Sequence, residues 1–277
     1  MLSLSCGSRK QLNAFPTKSR SVTPINQSVP HLQAAINGAR KDPLVPRTPT
    51  ELADEARAAV DAGADSIHFH AYEADGTETL DPEPCAEALT AVRDLCPDTP
   101  LALTTSAMIE PDPERRIERI AAWTEVPDFV SANVFDPGFV DLCEVLLDRG
   151  VGFEACIWSE KHVETLVETG LDSACERIVV EAILTDPDKS LAAGEVLTDP
   201  DVAVAQAESM EQTIENENID VEQVHHGFGI ATWAVGRRAL NRGHGFRTGL
   251  EDTTVLPDGT RATGNGELIA AARELRG

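Results

Sequence analysis

Two short segments far apart in the sequence carry residue types that bind divalent metals. Ser66–His70 contains His68 and His70, and Arg247–Asp252 contains Glu251. Alternate side chains of a β-strand point to the same face, so the two imidazoles would lie side by side. Two imidazoles and one carboxylate, with a position left open for water or substrate, are typical of a catalytic Zn²⁺ site.

Asp252 and Arg247 would stand beside such a metal and offer acid–base and anion-binding groups. A His-x-His pair can also be two hydrogen-bonded histidines on a half-buried strand, and the pair alone does not decide between these interpretations. Glu251-Asp252 follows a second strand-like run that could end at the same rim, and this favours the metal site.

Strand-like and helix-like stretches alternate from residue 32 onward. Thr48-Pro49 is typical of an N-cap followed by proline at the first helical position, and Gly63 is typical of a helix end. The predicted strands are Leu32–Asn37, Asp65–His70, Pro100–Thr105, Asp128–Val134, Val151–Trp158, Arg177–Ile183, Val221–His226 and Gly245–Leu250. The predicted helices are Thr50–Ala62, one that begins after Asp81-Pro82, Asp112–Trp123, Phe139–Arg149, Lys161–Thr169, Val202–Asn216, Ile230–Arg242 and Gly266–Leu275.

This alternation predicts an α/β fold with parallel strands joined by crossover helices. Eight strand–helix units in about 245 residues have the size of a TIM (β/α)8 barrel. We therefore expect residues 34–277 to form a single barrel. A doubly wound open sheet is the structural alternative, but no G-x-G-x-x-G follows the first strand.

A TIM barrel gathers its chemistry at the carboxyl ends of its strands. Besides the histidines and Glu251-Asp252, polar residues end the third and fourth predicted strands: Thr105 and Ser106, then Ser131 and Asn133. Each has a structural alternative, since Thr105 and Ser106 could cap a helix and Asn133 could form a turn. Together, on one rim, they indicate a substrate site.

The net charge of -24 is extreme for 277 residues. Residues 1–33 carry four basic residues and no acid, so the remainder holds about -28. Such a surface repels nucleic acid and anionic membranes, and neither is an expected partner. An acidic interaction surface is one interpretation; a solvated surface adapted to high salt, as in a halophile, is the one we favour.

Six cysteines form no C-x-x-C pair and mostly lie in apolar stretches, which predicts buried reduced thiols in a cytoplasmic protein. No apolar run is long enough for a membrane span. Residues 1–33 are Ser-rich and basic and lack the apolar core of a secretory signal. We expect them to be a disordered N-terminal extension.

The motifs, in this order, resemble the β-keto acid cleavage enzyme family over residues 34–277. The matching segments are Ala-Ile-Asn-Gly-Ala at 35–39, Pro46 with Thr48-Pro49, Ala62-Gly63-Ala64, His68-Phe-His-Ala71, Thr104-Thr105, Ser131-Ala-Asn133, Arg247-Thr-Gly-Leu-Glu-Asp252, Leu256-x-Asp258-Gly259 and Asn265-x-Glu267-Leu268. The two metal segments are together the most specific of these, and the Thr-Thr and Ser-x-Asn pieces are weak by themselves.

The resemblance implies a Zn²⁺-dependent retro-Claisen cleavage, in which a β-keto acid condenses with acetyl-CoA and the adduct breaks into acetoacetate and a new CoA thioester. It implies that His68, His70 and Glu251 hold the metal and that Asp252, oriented by Arg247, is the base. Family analogy also implies a homo-oligomer. The substrate's carboxylate and acyl groups would contact Ser106, with a catalytic role, and Thr105, Ser131, Asn133 and Asn37.

CoA would need an anion site of its own. Gly227-Phe-Gly229 precedes the seventh predicted helix, where free backbone N–H groups could bind phosphate. The structural alternative is a tight β–α turn. The strongly acidic stretch 184–220 disfavours a polyanionic ligand unless salt screens it.

Two departures from the family pattern affect the expected substrate. Tyr72-Glu73 stands where the family commonly has an arginine and an acid, and Phe153-Glu-Ala-Cys156 keeps only Glu154 of a Pro-Glu-x-Glu segment. Two other functions stay open: a metal-dependent barrel hydrolase of the amidohydrolase type or an aldolase-like lyase, and a non-catalytic metal- or ligand-binding barrel.

Overall fold

Short runs of alternating inward and outward side chains form the strands of a closed parallel barrel. The computed structural model describes residues 29–183 and 199–277. The strands are β1 Leu32–Ala35, β2 Ser66–Phe69, β3 Ala71–Tyr72, β4 Glu78–Thr79, β5 Leu101–Thr104, β6 Phe129–Asn133, β7 Gly152–Ile157, β8 Arg177–Ala182, β9 Gln223–Gly227 and β10 Gly245–Thr248. Eight of them close the barrel in the order β1-β10-β9-β8-β7-β6-β5-β2, which confirms the predicted TIM fold.

Helices cover the outside of this barrel between successive strands. They are α1 Pro49–Ala62, α2 Pro82–Leu95, α3 Pro113–Ala121, α4 Phe139–Asp148, α5 Glu160–Thr169, α6 Pro200–Asn216, α7 Thr232–Arg242 and α8 Asn265–Arg276. Thr48 and Glu51 form a reciprocal capping box at the start of α1, and Gly63 ends that helix with a φ of 112°. Within the described ranges, no helix combines the length and the apolar character needed to cross a membrane.

Side chains of β2 show how the barrel divides its two faces. Ile67 and Phe69 are fully buried in the apolar core outside the barrel. The alternate residues Ser66 and His68 therefore face the barrel interior. His68 pairs in register with Ala35 of β1 and Ala102 of β5. Small neighbours on both sides leave room for an imidazole inside the barrel.

The amino-terminal end of the barrel interior holds a buried polar network. Glu154 is fully buried, and its Oε1 accepts hydrogen bonds from Gln33 Nε2 at 2.7 Å and Arg177 Nη1 at 3.2 Å. Arg177 Nη1 also lies 3.0 Å from His31 Nε2. Glu154, the retained residue of the matched segment, therefore lies at the end of the barrel opposite the predicted site.

A two-stranded hairpin, which the sequence did not predict, interrupts the second strand–helix unit. In it β3 pairs antiparallel with β4, and Ala71 faces Thr79 while Tyr72 faces Glu78. The turn is closed by Gly76, which has a φ of +84°. The hairpin continues directly from the carboxyl end of β2, so it stands over the rim where His70 lies.

Some sequence predictions fall partly outside the described residues. Residues 1–28, most of the predicted extension, lie outside them, and β1 already begins at Leu32, so residues 32 and 33 belong to the barrel. Of the acidic stretch 184–220, residues 184–198 lie outside. Cys6 also lies outside, and the other five cysteines are free and buried, as predicted.

A buried ion-pair cluster on the outer side of β9 and β10 links α6 to α7. Glu211 of α6 is 1% exposed and pairs with Arg238, with Arg242 at 2.8 Å and with His244 at 2.9 Å. Burial raises the pKa of Glu211, but hydrogen bonds from His244, Arg242 and Arg238 outweigh it and lower the pKa to about 2.

We expect Glu211→Gln to destabilise the protein by about 3 kcal/mol at pH 7, because removing one partner of a buried ion pair leaves the others uncompensated. The native pKa of Glu211 is depressed, so its contribution is complete above the unfolded-state pKa of about 4.3 and is lost as pH falls toward 2. Urea unfolding at several pH values should show a gap between wild type and variant that is constant above pH ~5 and narrows below pH ~4.

Glu215→Gln is the matched control, because Glu215 pairs with Arg242 at 3.1 Å but is half exposed. It should cost less than about 1 kcal/mol. A Glu211→Gln effect of that same small size, or one independent of pH, would contradict the assignment of this cluster as a stabilising ion-pair centre.

Candidate metal centre and catalytic site

His68, His70 and Glu251 converge at the carboxyl-terminal rim of the barrel. His68 Nε2 lies 3.4 Å from Glu251 Oε2, and His70 Nε2 lies 3.7 Å from Glu251 Oε1. One ligand atom of each residue lies within 4.8 Å of the others. The predicted pair of imidazoles and the distant carboxylate are therefore brought together.

Tight packing at Gly38 fixes the position of Glu251. Glu251 follows β10, and its backbone N–H donates to the carbonyl of Ala35 at 3.1 Å. A Cβ atom at Gly38 would lie 2.3 Å from Glu251 Cγ, and Gly38 has a φ of +64°. Only glycine combines that backbone conformation with so close an approach.

Orphaned polar atoms at this cluster fit a divalent metal. His68 Nδ1, His68 Nε2 and Glu251 Oε2 are buried and have no hydrogen-bond partner in the part of the chain that the structure describes. Buried polar groups normally have partners, and a metal would supply one here. Burial and the nearby Arg247 guanidinium hold the pKa of His68 well below its usual range, which leaves the imidazole neutral as metal binding requires.

Glu78 supports His70 from the hairpin. Its Oε1 pairs with His70 Nδ1, which leaves Nε2 directed toward Glu251. Burial lowers the pKa of His70, but the carboxylates of Glu251 and Glu78 outweigh it and raise the pKa. A carboxylate on the far ring nitrogen fixes the tautomer of a metal-binding histidine. Glu78 was not predicted from the sequence, because it reaches His70 only through the unpredicted hairpin.

We expect Glu78→Gln to weaken divalent-metal affinity by about 10- to 100-fold, the usual effect of altering such a supporting carboxylate. Competition between the protein and a chromophoric chelator for Zn²⁺ would measure this. Glu73→Gln, the same charge change on the same hairpin, is the control. Equal affinities for both variants and wild type would mean that Glu78 does not support a metal ligand.

Arg247 contacts a different carboxylate from the one predicted. Its Nη2 donates to Glu251 Oε1 at 2.8 Å, and it is 2% exposed. The resemblance implied that Arg247 orients Asp252, whereas this hydrogen bond goes to Glu251. Arg247 lies on β10 with Glu251 four residues later, so the turn after the strand brings the carboxylate back over the guanidinium.

Asp252 is held by other groups. Its Oδ1 lies 3.2 Å from His226 Nδ1, and its backbone carbonyl accepts from Arg40 Nη2 at 2.6 Å and from the Gly229 N–H at 2.8 Å. The side chain is 1% exposed, and Oδ2 has no hydrogen-bond partner among residues 29–183 and 199–277. A fixed carboxylate with one unpartnered oxygen is suited to accept a proton.

His226 joins Asp252 to a further carboxylate, Glu181 of β8. His226 Nε2 lies 3.4 Å from Glu181 Oε1, and Trp158 Nε1 donates to Glu181 Oε2. Neither Glu181 nor His226 was among the site residues predicted from the sequence. Both face the interior from neighbouring strands, and the period-two pattern of β8 and β9 was the available signal.

Thr105 and Ser106, which follow β5, make local contacts. Thr105 Oγ1 donates to the carbonyl of Ser131 at 2.7 Å. This hydrogen bond joins the end of β5 to β6 and uses the hydroxyl proton of Thr105. Ser106 Oγ accepts from the Met108 N–H at 3.2 Å. Neither residue is the predicted helix cap, since Asp112 caps α3, and Ser106 keeps its hydroxyl proton for a further contact.

Ser131 and Asn133 of β6 are half-buried. Val130, which precedes them, and Ala132, which lies between them, are buried in the core outside the barrel. They therefore face the interior at the rim, as predicted. Asn133 Nδ2 donates to Asp136 Oδ2 at 3.3 Å.

Asn37 is wholly occupied by backbone groups. Its Nδ2 donates to the carbonyls of Pro46 and His70, and its Oδ1 accepts from the N–H groups of Gly38 and His70. It cannot contact substrate through the same atoms. The prediction of a substrate-binding Asn37 is replaced by a structural role: Asn37 joins the ends of β1 and β2 and holds the backbone of His70.

The Gly227-Phe-Gly229 turn differs from the predicted anion site. The Gly229 N–H donates to the Asp252 carbonyl, so it is not free for phosphate. A Cβ at Gly227 would lie 3.0 Å from the Ala231 carbonyl oxygen, which indicates the close β–α turn that was the structural alternative. Beside this turn lies a groove of about 390 Å³, lined in part by Arg40, Gly229, Trp233 and Arg237.

The chain is similar to proteins of one known enzyme family. Residues 31–276 match the family model of the beta-keto acid cleavage enzyme. The chain is 26% identical over 254 residues to the 3-keto-5-aminohexanoate cleavage enzyme of Fusobacterium nucleatum, covering 86% of this chain and 88% of that protein. It is 25% identical, with the same coverage, to the enzyme of that name from Acetoanaerobium sticklandii.

Among solved structures, ObcA in a binary complex with oxaloacetate has a TM-score of 0.63 at 18% identity, over 84% of this chain and 63% of ObcA. The chain thus spans less than two thirds of ObcA, and the likeness concerns the fold. N-acetylmannosamine-6-phosphate 2-epimerase from Clostridium perfringens has a TM-score of 0.55 at 13% identity, over 82% of this chain and 89% of that one. Because the family model covers nearly the whole described barrel, rim included, this chain belongs to the beta-keto acid cleavage enzyme family.

Proposed function

We propose that this protein is a Zn²⁺-dependent enzyme that cleaves a β-keto acid with acetyl-CoA by a retro-Claisen route, giving acetoacetate and an acyl-CoA. The observation that carries the proposal is the convergence of His68, His70 and Glu251, with orphaned ligand atoms, next to the buried carboxylate of Asp252. Membership of the family supports the same reaction class.

His68, His70 and Glu251 would hold the metal, which when bound would polarise the β-carbonyl of the substrate and stabilise negative charge on its oxygen. Arg247 would fix Glu251 through its 2.8 Å hydrogen bond. Asp252 would accept the proton that starts the reaction on its unpartnered Oδ2. Ser106, Ser131 and Asn133 would contact the substrate's polar groups from β5 and β6, which follow β2 around the rim.

CoA would approach from the groove beside Gly229 rather than bind the Gly229 N–H itself. Arg40 and Arg237 line that groove, and Trp233 adds apolar surface. Two guanidinium groups on a chain of net charge -24 offer a local attraction for phosphates. A solved complex of ObcA holds a C4-CoA adduct and oxalate, which supports a CoA thioester as co-substrate for this fold.

Two competing functions predict different outcomes. A barrel hydrolase or lyase would turn over the keto acid without acetyl-CoA, whereas a non-catalytic barrel would bind metal and ligand without turnover. The amidohydrolase type would draw further histidine ligands into the centre. Here His225 stacks on His244 at 4.8 Å on the outer side of the barrel, and His162 accepts from the Trp158 N–H.

The test is a screen of β-keto acids of different chain length and charge, with and without acetyl-CoA, in high-salt buffer. We expect acetoacetate and a new acyl-CoA only when both substrates are present, loss of activity with a chelator and recovery with Zn²⁺. Turnover without acetyl-CoA would favour the hydrolase or lyase, and no turnover of any acid by the metal-loaded protein would leave a binding protein. By family analogy we also propose a cytoplasmic homo-oligomer.

A further inference from the structure

An imidazole between two carboxylates lies beside the proposed base. His226 Nδ1 lies 3.2 Å from Asp252 Oδ1, and His226 Nε2 lies 3.4 Å from Glu181 Oε1. All three residues are buried: His226 is 3% exposed, Asp252 is 1% exposed and Glu181 is 7% exposed. No step of the proposed reaction uses His226 or Glu181, so their burial at the rim calls for an explanation.

We propose that His226, held in place by Glu181, is the positioning residue of Asp252: its Nδ1–H occupies Oδ1 and leaves Oδ2 as the oxygen that takes the substrate proton. The proposal rests on the proposed function and assigns a role to a residue outside it. Asp252 has its backbone fixed by Arg40 and Gly229. With the backbone anchored, the carboxylate can still rotate about its side-chain bonds. The contact with His226 restricts this rotation.

Glu181 is in turn fixed from its other oxygen. Trp158 Nε1 donates to Glu181 Oε2. The array therefore runs from Trp158 through Glu181 and His226 to Asp252. Each member is oriented by the next, as base-orienting groups are in enzymes that rely on proton transfer.

The electrostatic surroundings agree with donation from both ring nitrogens. Besides Asp252 and Glu181, the groups that act on His226 include Arg247 of β10, while His68 of β2 lies near enough to feel its charge. Burial lowers the pKa of His226, but the two carboxylates outweigh both burial and Arg247 and raise the pKa to about 9. At pH 7 the ring is then an imidazolium with two N–H donors.

The arrangement also accounts for the hydrogen bond that Arg247 makes to Glu251 rather than to Asp252 within the described part of the chain. Its Nη2 is directed to Glu251, which as a metal ligand needs its own fixed orientation. One cation, Arg247, then serves Glu251, and a second, His226, serves the adjacent Asp252. Two consecutive carboxylates with different chemical roles are thereby kept in separate orientations.

Two isosteric variants separate positioning from general structure. An asparagine amide can imitate the Nδ1–H of histidine, whereas a glutamine amide reaches farther and imitates Nε2–H. His226→Asn should keep the bond to Asp252, and His226→Gln should keep only the contact with Glu181. We expect His226→Gln to lower kcat about 100-fold with KM and Zn²⁺ content near wild type, and His226→Asn to recover at least about tenfold of that loss.

Histidine ¹⁵N NMR of the purified protein gives a readout that does not depend on turnover. Both His226 nitrogens should carry protons at pH 7, and the Nδ1 resonance should shift in Asp252→Asn. A His226 that carries no proton on Nδ1, or a His226→Gln variant with wild-type kcat, would overturn the proposal. If wild type cleaves no β-keto acid, the proposed function fails, and the protonation and Nδ1 contact of His226 are still decided by the NMR result.

Discussion

Glu251→Ala is expected to remove bound Zn²⁺ and to lower kcat/KM for β-keto acid cleavage by at least about 10⁴-fold. The variant loses the one anionic ligand of the centre and leaves two neutral imidazoles, which bind the metal far more weakly. Without the Lewis acid, the negative charge that develops on the substrate has no partner in the site. Elemental analysis of protein purified without chelator would give about one zinc per chain for wild type and little for the variant.

The alanine variant also leaves Arg247 buried without its carboxylate, which destabilises the fold in its own right. Glu251→Gln is therefore the companion variant, because its amide oxygen can still accept from Arg247 while the negative charge is gone. Asp258→Ala removes an exposed carboxylate from the loop after the same strand and should change neither zinc content nor activity. Zinc retained at wild-type level in folded Glu251→Gln and Glu251→Ala would contradict the assigned ligand set.

Asp252→Asn is expected to lower kcat about 10³-fold with unchanged zinc content, because a positioned general base contributes about 10²- to 10⁴-fold. The substitution is isosteric, and its amide oxygen can still accept from His226. The Arg40 and Gly229 contacts go to the backbone carbonyl and are unaffected. Steady-state kinetics together with metal analysis separates this effect from loss of the metal.

The comparison between the two adjacent positions sharpens both predictions. Glu251 variants should lose zinc and activity together, and Asp252→Asn should lose activity alone. A folded, zinc-loaded Asp252→Asn with kcat within tenfold of wild type would exclude Asp252 as the base. The next carboxylate to test would then be Glu181, which contacts the other ring nitrogen of His226.

Much of the fold followed from local signals in the sequence. Thr48-Pro49 and Gly63 marked the ends of α1 because capping is decided within a few residues of the helix end. The hairpin of β3 and β4 was missed because each strand has two residues, too few to show a period. The short 3₁₀ turn Gly229–Ala231 before α7 was absorbed into the predicted helix for the same reason.

The site was predictable where spacing alone decides orientation. His68 and His70 share a face because a strand repeats every two residues. The partners that fix those side chains were harder to foresee, because Glu78, Glu181 and His226 reach the rim through turns and strand order. Asn37 shows the converse: a polar residue at a strand end suggests substrate contact, while its four backbone hydrogen bonds become visible only in three dimensions.

The hairpin has a consequence for how the protein responds to its metal. Glu78 is on the returning strand, and its contact with His70 joins the hairpin to a metal ligand. Anything that binds one conformation preferentially stabilises it. Metal loading and closure of the hairpin should therefore favour each other, and by linkage the coupling has the same size in both directions. The contact between Glu78 and His70 thus links the order of the hairpin to occupancy of the metal centre.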